Sequence, residues 1–97
     1  MNQKLSDHNT EYLFRAILSL ETVEDCQNFF EDLCTAAEIK AMCQRMHVAR
    51  LLDEKVIYAE IVRQTGASTA TISRVNRSLL YGSDGYRKVL DNLKEEK

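Results

Sequence analysis

Gly66-Ala67-Ser68-Thr69-Ala70-Thr71-Ile72-Ser73-Arg74 is the stretch whose reading decides the fold. It carries, in order, the parts of a helix-turn-helix: a glycine, a capping serine, a helix of small residues and a cation. Gly66 can take a positive φ at little steric cost, so one helix can stop and the chain can turn sharply. Ser68 is placed to cap the next helix by accepting from a backbone N–H two or three residues on. Ile72 and Val75, three apart, share a face that can pack back onto the preceding helix. Thr69, Ala70, Thr71 and Ser73 are small, which lets this helix approach base edges closely. Arg74 offers a charged fork suited to phosphate or guanine. An ordinary αα-hairpin also turns on glycine, but it has no need of cap, Thr71-Ile72-Ser73 core and arginine in one register.

Upstream, Val56 to Thr65 places Ile57, Ile61 and Val62 on one helical stripe at i, i+4 and i+5. That predicts a first device helix over about 57–65, crossing the DNA backbone, and a second over about 68–81 for the major groove.

Ninety-seven residues leave room for one domain, 1–97. The chain has no proline and three glycines, Gly66, Gly82 and Gly85, all in its last third. So few breakers, with no strand-like alternation, predict an all-α fold. The first half is rich in large apolar residues: Leu13, Phe14, Ile17, Leu18, Leu20, Phe29, Phe30 and Leu33. A chain this short has a thin core, so a dimer sharing these helices resolves the mismatch. No 18-residue apolar run is present to span a membrane. Met1 to Asp7 lacks the apolar core of a secretory signal. Three cysteines, Cys26, Cys34 and Cys43, suit buried, reduced thiols in a cytoplasmic protein better than a disulfide framework.

The formal charge of −2 looks wrong for a nucleic-acid binder until it is mapped. Residues 1–49 hold four basic against eight acidic side chains, a net of −4. Residues 61–88 hold Arg63, Arg74, Arg77, Arg87 and Lys88 against Asp84 alone, a net of +4. Charge on the binding face matters more than the total.

Helical periodicity supplies the other elements. Leu13, Ile17 and Leu20 predict a first helix over about 10–20. Thr22, with Glu24 and Asp25 behind it, caps a second that carries Val23, Cys26, Phe30 and Leu33. Thr35-Ala36-Ala37-Glu38 is a capping box that opens a long third helix, about 36–53, with Ile39, Met42, Cys43, Met46, Ala49 and Leu52 as its apolar face. After the Gly82-Ser83-Asp84-Gly85 break, Tyr86, Val89, Leu90 and Leu93 mark a last helix over about 86–94.

Six helices with the device fourth and fifth resemble the trp repressor superfamily, most closely its YerC/YecD-like branch, over roughly Leu13 to Leu93. The run from Thr65 to Leu79 reads like the family signature, with Thr35–Glu38 and Ala49-Arg50-Leu51-Leu52 in support. The resemblance implies a six-helix, trp-repressor-like intertwined homodimer, its dimerisation helices at about 10–53 and 86–94. It also implies recognition of double-stranded DNA at a palindromic operator, with half-sites roughly 34 Å apart. Carried over by position, Thr69, Ala70, Thr71 and Ser73 approach the bases, Ser68 caps the helix, Arg74 and Arg77 meet phosphates, and Tyr58 is the one donor on the preceding helix. The family's tryptophan pocket maps to Arg45, Arg74 and Ser78. Where the family has glycine beneath the indole, this chain has Val75. An isopropyl group there overpacks the slot by about 1–3 kcal/mol, so no tryptophan and no other cofactor is expected.

Other constellations carry less. Cys43 and His47 at i and i+4 give two metal ligands where a structural zinc site needs four, so no metal is expected. No phosphate loop and no nucleophile–base pair is visible, and His8 lies in what reads as a loose N-terminus, so no catalytic residue is assigned. The expectation is a sequence-specific transcriptional regulator, a repressor. The rival is a helical dimerisation or adaptor module that keeps the device as scaffold.

Overall fold

Each helix begins where a short polar side chain or a sharp turn ends the one before it. The computed structural model describes residues 7–96; the reading of the N-terminal segment as lacking a signal rests largely on residues outside that range. The elements are α1 (His8–Leu18), α2 (Val23–Leu33), α3 (Ala36–Asp53), α4 (Tyr58–Thr65), α5 (Thr69–Tyr81) and α6 (Gly85–Lys94), with no strand among the described residues. The all-α, six-helix expectation holds.

Boundaries follow the caps. Asp7 Oδ1 accepts the Thr10 N–H at 2.8 Å and starts α1 two residues earlier than periodicity predicts. His8 is therefore the first helical residue, not part of a loose end. Leu20 falls outside α1, because the Ser19 hydroxyl turns back to the Ala16 carbonyl. Thr22 caps α2 through the Asp25 N–H at 2.9 Å. The capping box forms as expected: the Thr35 N–H donates to Glu38 Oε1 at 2.8 Å, and the Glu38 N–H donates to Thr35 Oγ1 at 3.1 Å.

The chain divides after Ile39 into two compact units. In the first, neither α1 nor α2 buries a residue, although both are amphipathic. The second closes a core of Val48, Ala49 and Leu51 from α3, Ile61 from α4, Ala67 from the turn, Ile72 and Val75 from α5 and Leu90 from α6. Met46, Leu52, Val56, Leu79 and Tyr86 pack at its edge. The predicted apolar face of α3 is thus only partly the buried one. Val48 and Leu51 go inward with Ala49, while Cys43 is exposed and Ile39 and Met42 are half-buried. The three cysteines are free thiols as expected, but not buried ones: Cys26 and Cys43 are exposed and Cys34 is half-buried.

An ion-pair clamp fixes α6. Asp53 Oδ1 accepts from Arg87, and Asp53 Oδ2 lies 2.8 Å from the Lys94 ammonium. These two cations, the Arg87 hydrogen bond first, hold the Asp53 carboxyl below its usual range.

Candidate nucleic-acid interface

The device at α4 and α5 is assembled by backbone chemistry. Gly66 sits at φ +74°, and its N–H closes the helix on the Val62 carbonyl at 2.9 Å. A Cβ at Gly66 meets nothing within 4 Å, so the left-handed conformation, not crowding, calls for glycine there. Ser68 accepts the Thr71 N–H at 3.1 Å and starts α5, and its hydroxyl lies 3.2 Å from Thr71 Oγ1.

Thr65 was not singled out by sequence, yet it ties the turn together. Its hydroxyl donates to the Ile61 carbonyl at 2.8 Å and accepts the Ala67 N–H at 3.0 Å. Its carbonyl accepts from the Gln44 side chain of α3 at 3.3 Å. A hydroxyl-bearing residue just before the turn glycine is a local signal that could have found it; Gln44, 21 residues away, gave none.

Three buried side chains then set the facing of α5. Ile72 and Val75 lie in the core as predicted, and Ala67 is buried in the turn. The opposite flank is open: Thr69, Ala70, Ser73, Arg74 and Arg77 are exposed, as is Ser68, while Thr71 is half-buried. Tyr58, at the start of α4, is also exposed. The candidate DNA-contacting set is therefore brought to one solvent-facing device, with Thr71 set partly behind the rest by its bond to the cap.

The candidate effector residues lie in different surroundings. Ser78 lines an open cleft of about 540 Å³ with Met46, Gly82, Ser83, Tyr86 and Val89. Arg45 and Arg74 are exposed and outside that lining, and Val75 is 2% exposed within the core.

Charge on the device is less even than the sequence count implies. Arg63 donates through Nε to Glu60 Oε1 at 2.9 Å and through Nη2 to Glu60 Oε2, and Gln64 adds a bond of 2.9 Å to the same carboxylate. The Arg63 bonds, followed by that of Gln64, hold the Glu60 carboxyl down at about 2. Arg87 is committed to Asp53 and Asp91. Among the described residues Arg74, Arg77 and Lys88 form no ion pair. Of the five cations behind the +4 count, two are spent on neighbouring carboxylates.

Among the described residues no group of three His, Cys, Asp or Glu side chains converges as a metal site, and no helix is long and apolar enough to cross a membrane.

Known proteins match this architecture over nearly its whole length. The family described as Trp repressor protein matches residues 8–94. The uncharacterised protein YerC of Bacillus subtilis (strain 168) is 52% identical over 92 residues, 95% of this chain and 88% of that protein. A TrpR-like protein from Eubacterium eligens ATCC 27750 superposes with a TM-score of 0.92 at 53% identity, covering 96% of each chain. A crystal structure described as a putative Trp repressor from Staphylococcus aureus does so with 0.90 at 44% identity, again over 96% of each. By signature, fold and sequence identity, the chain belongs to the Trp repressor family, in its YerC-like branch.

Proposed function

We propose that this protein is a sequence-specific DNA-binding transcriptional regulator, a repressor, acting in the cytoplasm as a homodimer. One observation carries the reading. α5 is anchored by Ile72 and Val75, and it turns outward a shallow flank of Thr69, Ala70 and Ser73 beside two guanidinium groups, Arg74 and Arg77, that form no ion pair among the described residues. Short side chains let the helix backbone sit deep in a major groove. There the Ala70 or Thr69 methyl can meet a thymine methyl, and hydroxyls can reach base edges directly or through water. Arg74 and Arg77 supply the phosphate attraction that positions the helix. Tyr58 can add a donor from α4, and Ser68 fixes the helix start.

The homodimer reading is supported by α1 and α2, which bury no side chain fully and leave large apolar ones in solvent: Leu18 is 82% and Val23 84% exposed. An intertwined second copy covers such stripes, and two copies read a palindromic operator with half-sites about one helical turn, roughly 34 Å, apart.

Tryptophan has no role in this reading. Val75 is already packed among core residues, and neither Arg45 nor Arg74 lines the cleft that Ser78 lines. Isothermal titration with L-tryptophan is expected to show no tight binding; saturable micromolar heat would reverse that part of the proposal.

The regulator is tested by selecting duplexes from a random pool and repeating the binding at two salt concentrations. A palindromic consensus whose affinity falls as salt rises is the expected result. A protein that dimerises but selects no sequence is an adaptor that keeps the device as scaffold.

A further inference from the structure

Within residues 57–81 there is one acidic residue, Glu60, and it is bonded to the one cation of α4. Arg63 presents Nε and Nη2 to the two carboxylate oxygens, the two-pronged geometry with which a guanidinium grips a phosphate. Gln64, one turn after Glu60, adds a third bond to the same carboxylate and holds it in place. The α5 cations Arg74 and Arg77 have no such partner among the described residues. The two helices of the device therefore differ in kind: α4 is electrically neutral with its guanidinium fork filled, and α5 carries two open forks.

We propose that Glu60 is an internal competitor for DNA phosphate: it occupies the Arg63 fork, so that the sequence-independent attraction to DNA is confined to α5. The inference rests on the DNA-binding reading above and adds a restraint to it. Phosphate attraction is blind to sequence, so each cation withheld from it lowers occupancy of wrong sites. The restraint does not relax across the physiological pH range, because the carboxylate stays ionised. Salt weakens an exposed pair, but it also screens the phosphates for which Arg63 would compete.

Anisotropy titrations of the full chain against a random-sequence duplex, between about 50 and 200 mM salt, test this. Glu60→Gln keeps the size of the side chain and removes its charge. Each freed cation is expected to steepen the log–log salt slope by about 0.9 and tighten binding roughly threefold at the low-salt end relative to the high-salt end. Arg63→Ala in the native background is expected to leave the slope unchanged, because that arginine is already engaged. Adding Arg63→Ala to Glu60→Gln should abolish the gain. A salt slope indifferent to Glu60→Gln overturns the inference, as does an Arg63→Ala loss as large as that of Arg77→Ala. The arginine variant decides the matter alone should the glutamine variant fail to fold. A native protein that binds neither random nor selected duplexes overturns the regulator reading and this one together; a salt-sensitive native protein with an indifferent Glu60 overturns this one only.

Discussion

α1 and α2, before Ile39, and α4 to α6, after it, are all amphipathic, yet the two sets solve the burial problem differently. Residues from α3 to α6 enclose eight buried apolar side chains, whereas α1 and α2 bury none. A helical stripe says that a face wants covering, not what covers it. In the C-terminal unit the cover comes from the same chain, and the open flank of α5 is defined by what its other flank buries. In α1 and α2 that cover is incomplete: Leu13, Ile17, Phe29 and Phe30 are half-buried, and Leu18 and Val23 are exposed. The homodimer proposal assigns the rest of that cover to a second copy.

The largest effects should fall where the chain covers itself. Ile61 and Ile72 are fully buried. Truncating either to alanine is expected to cost about 2–5 kcal/mol in urea unfolding, through lost transfer energy and the cavity left behind. That loss should be the same at every protein concentration. Leu13→Ala or Ile17→Ala in α1 should instead act through assembly, with a cost that changes with protein concentration and a shift toward monomer in sedimentation. A concentration-independent loss of equal size in α1 would break the contrast.

At half-buried Thr71 and on the open flank of α5 the expected losses are smaller and are read in DNA binding. Thr71→Ala should weaken operator binding by about 1–3 kcal/mol and relax sequence preference if its hydroxyl reads a base. Its bond to Ser68 predicts a second, structural component from a weakened cap. Circular dichroism of the free variant separates the two. Arg77→Ala should weaken binding evenly on all sequences and flatten the salt slope by about 0.9, the mark of a phosphate contact.

Much of this was legible because the signals are local. The capping box at Thr35, the cap at Ser68, the turn at Gly66 and the inward pair Ile72 and Val75 each depend on residues within four positions, the range over which helix periodicity operates. Charge was read poorly for a related reason. The Glu60–Arg63 pair is an i, i+3 contact visible in the sequence, but counting from residue 61 left Glu60 out of the sum. The Asp53 clamp spans 34 residues to Arg87, and nothing local announces it. The inward face of α3 was misjudged because apolar residues lie on most of its sides, and only its tertiary neighbours decide that Val48 and Leu51 go in while Cys43 stays out.

The Asp53 clamp gives a contrast in pH. Asp53 has a lowered carboxyl pKa in the folded chain. Its contribution is therefore fully present above the ordinary carboxylate range, near pH 4, and is lost as pH falls through the lowered folded value. Asp53→Asn should cost about 1 kcal/mol near neutrality, mostly through lost charge-assisted bonds to Arg87 and Lys94 at a partly exposed site. It should also remove part of the acid sensitivity of unfolding; an unchanged acid midpoint would mean that α6 is held by its apolar contacts, Leu90 and Tyr86.

The smallest effect separates two helix ends inside the same unit. The turn that ends α4 has Gly66 at φ +74°, and the turn that follows α3 has Lys55 at φ +69°. At Lys55 the Val56 N–H reaches back to the Leu51 carbonyl and the Lys55 N–H to Leu52, the paired bonds of a Schellman close, which favours glycine at the left-handed position. Lys55 is a β-carbon residue in glycine's place and is exposed, so its side chain gains little there in return. Lys55→Gly should therefore stabilise the chain by about 0.5–1 kcal/mol, the relief of left-handed strain outweighing the entropy added to the unfolded chain. Gly66→Ala should shift stability by a similar amount in the opposite direction, because the space is open and only the backbone objects. Matched thermal melts check both signs. If Lys55→Gly instead destabilises, the lysine is making a contact that outweighs its backbone, and the turn before the DNA-binding device is more than a connector.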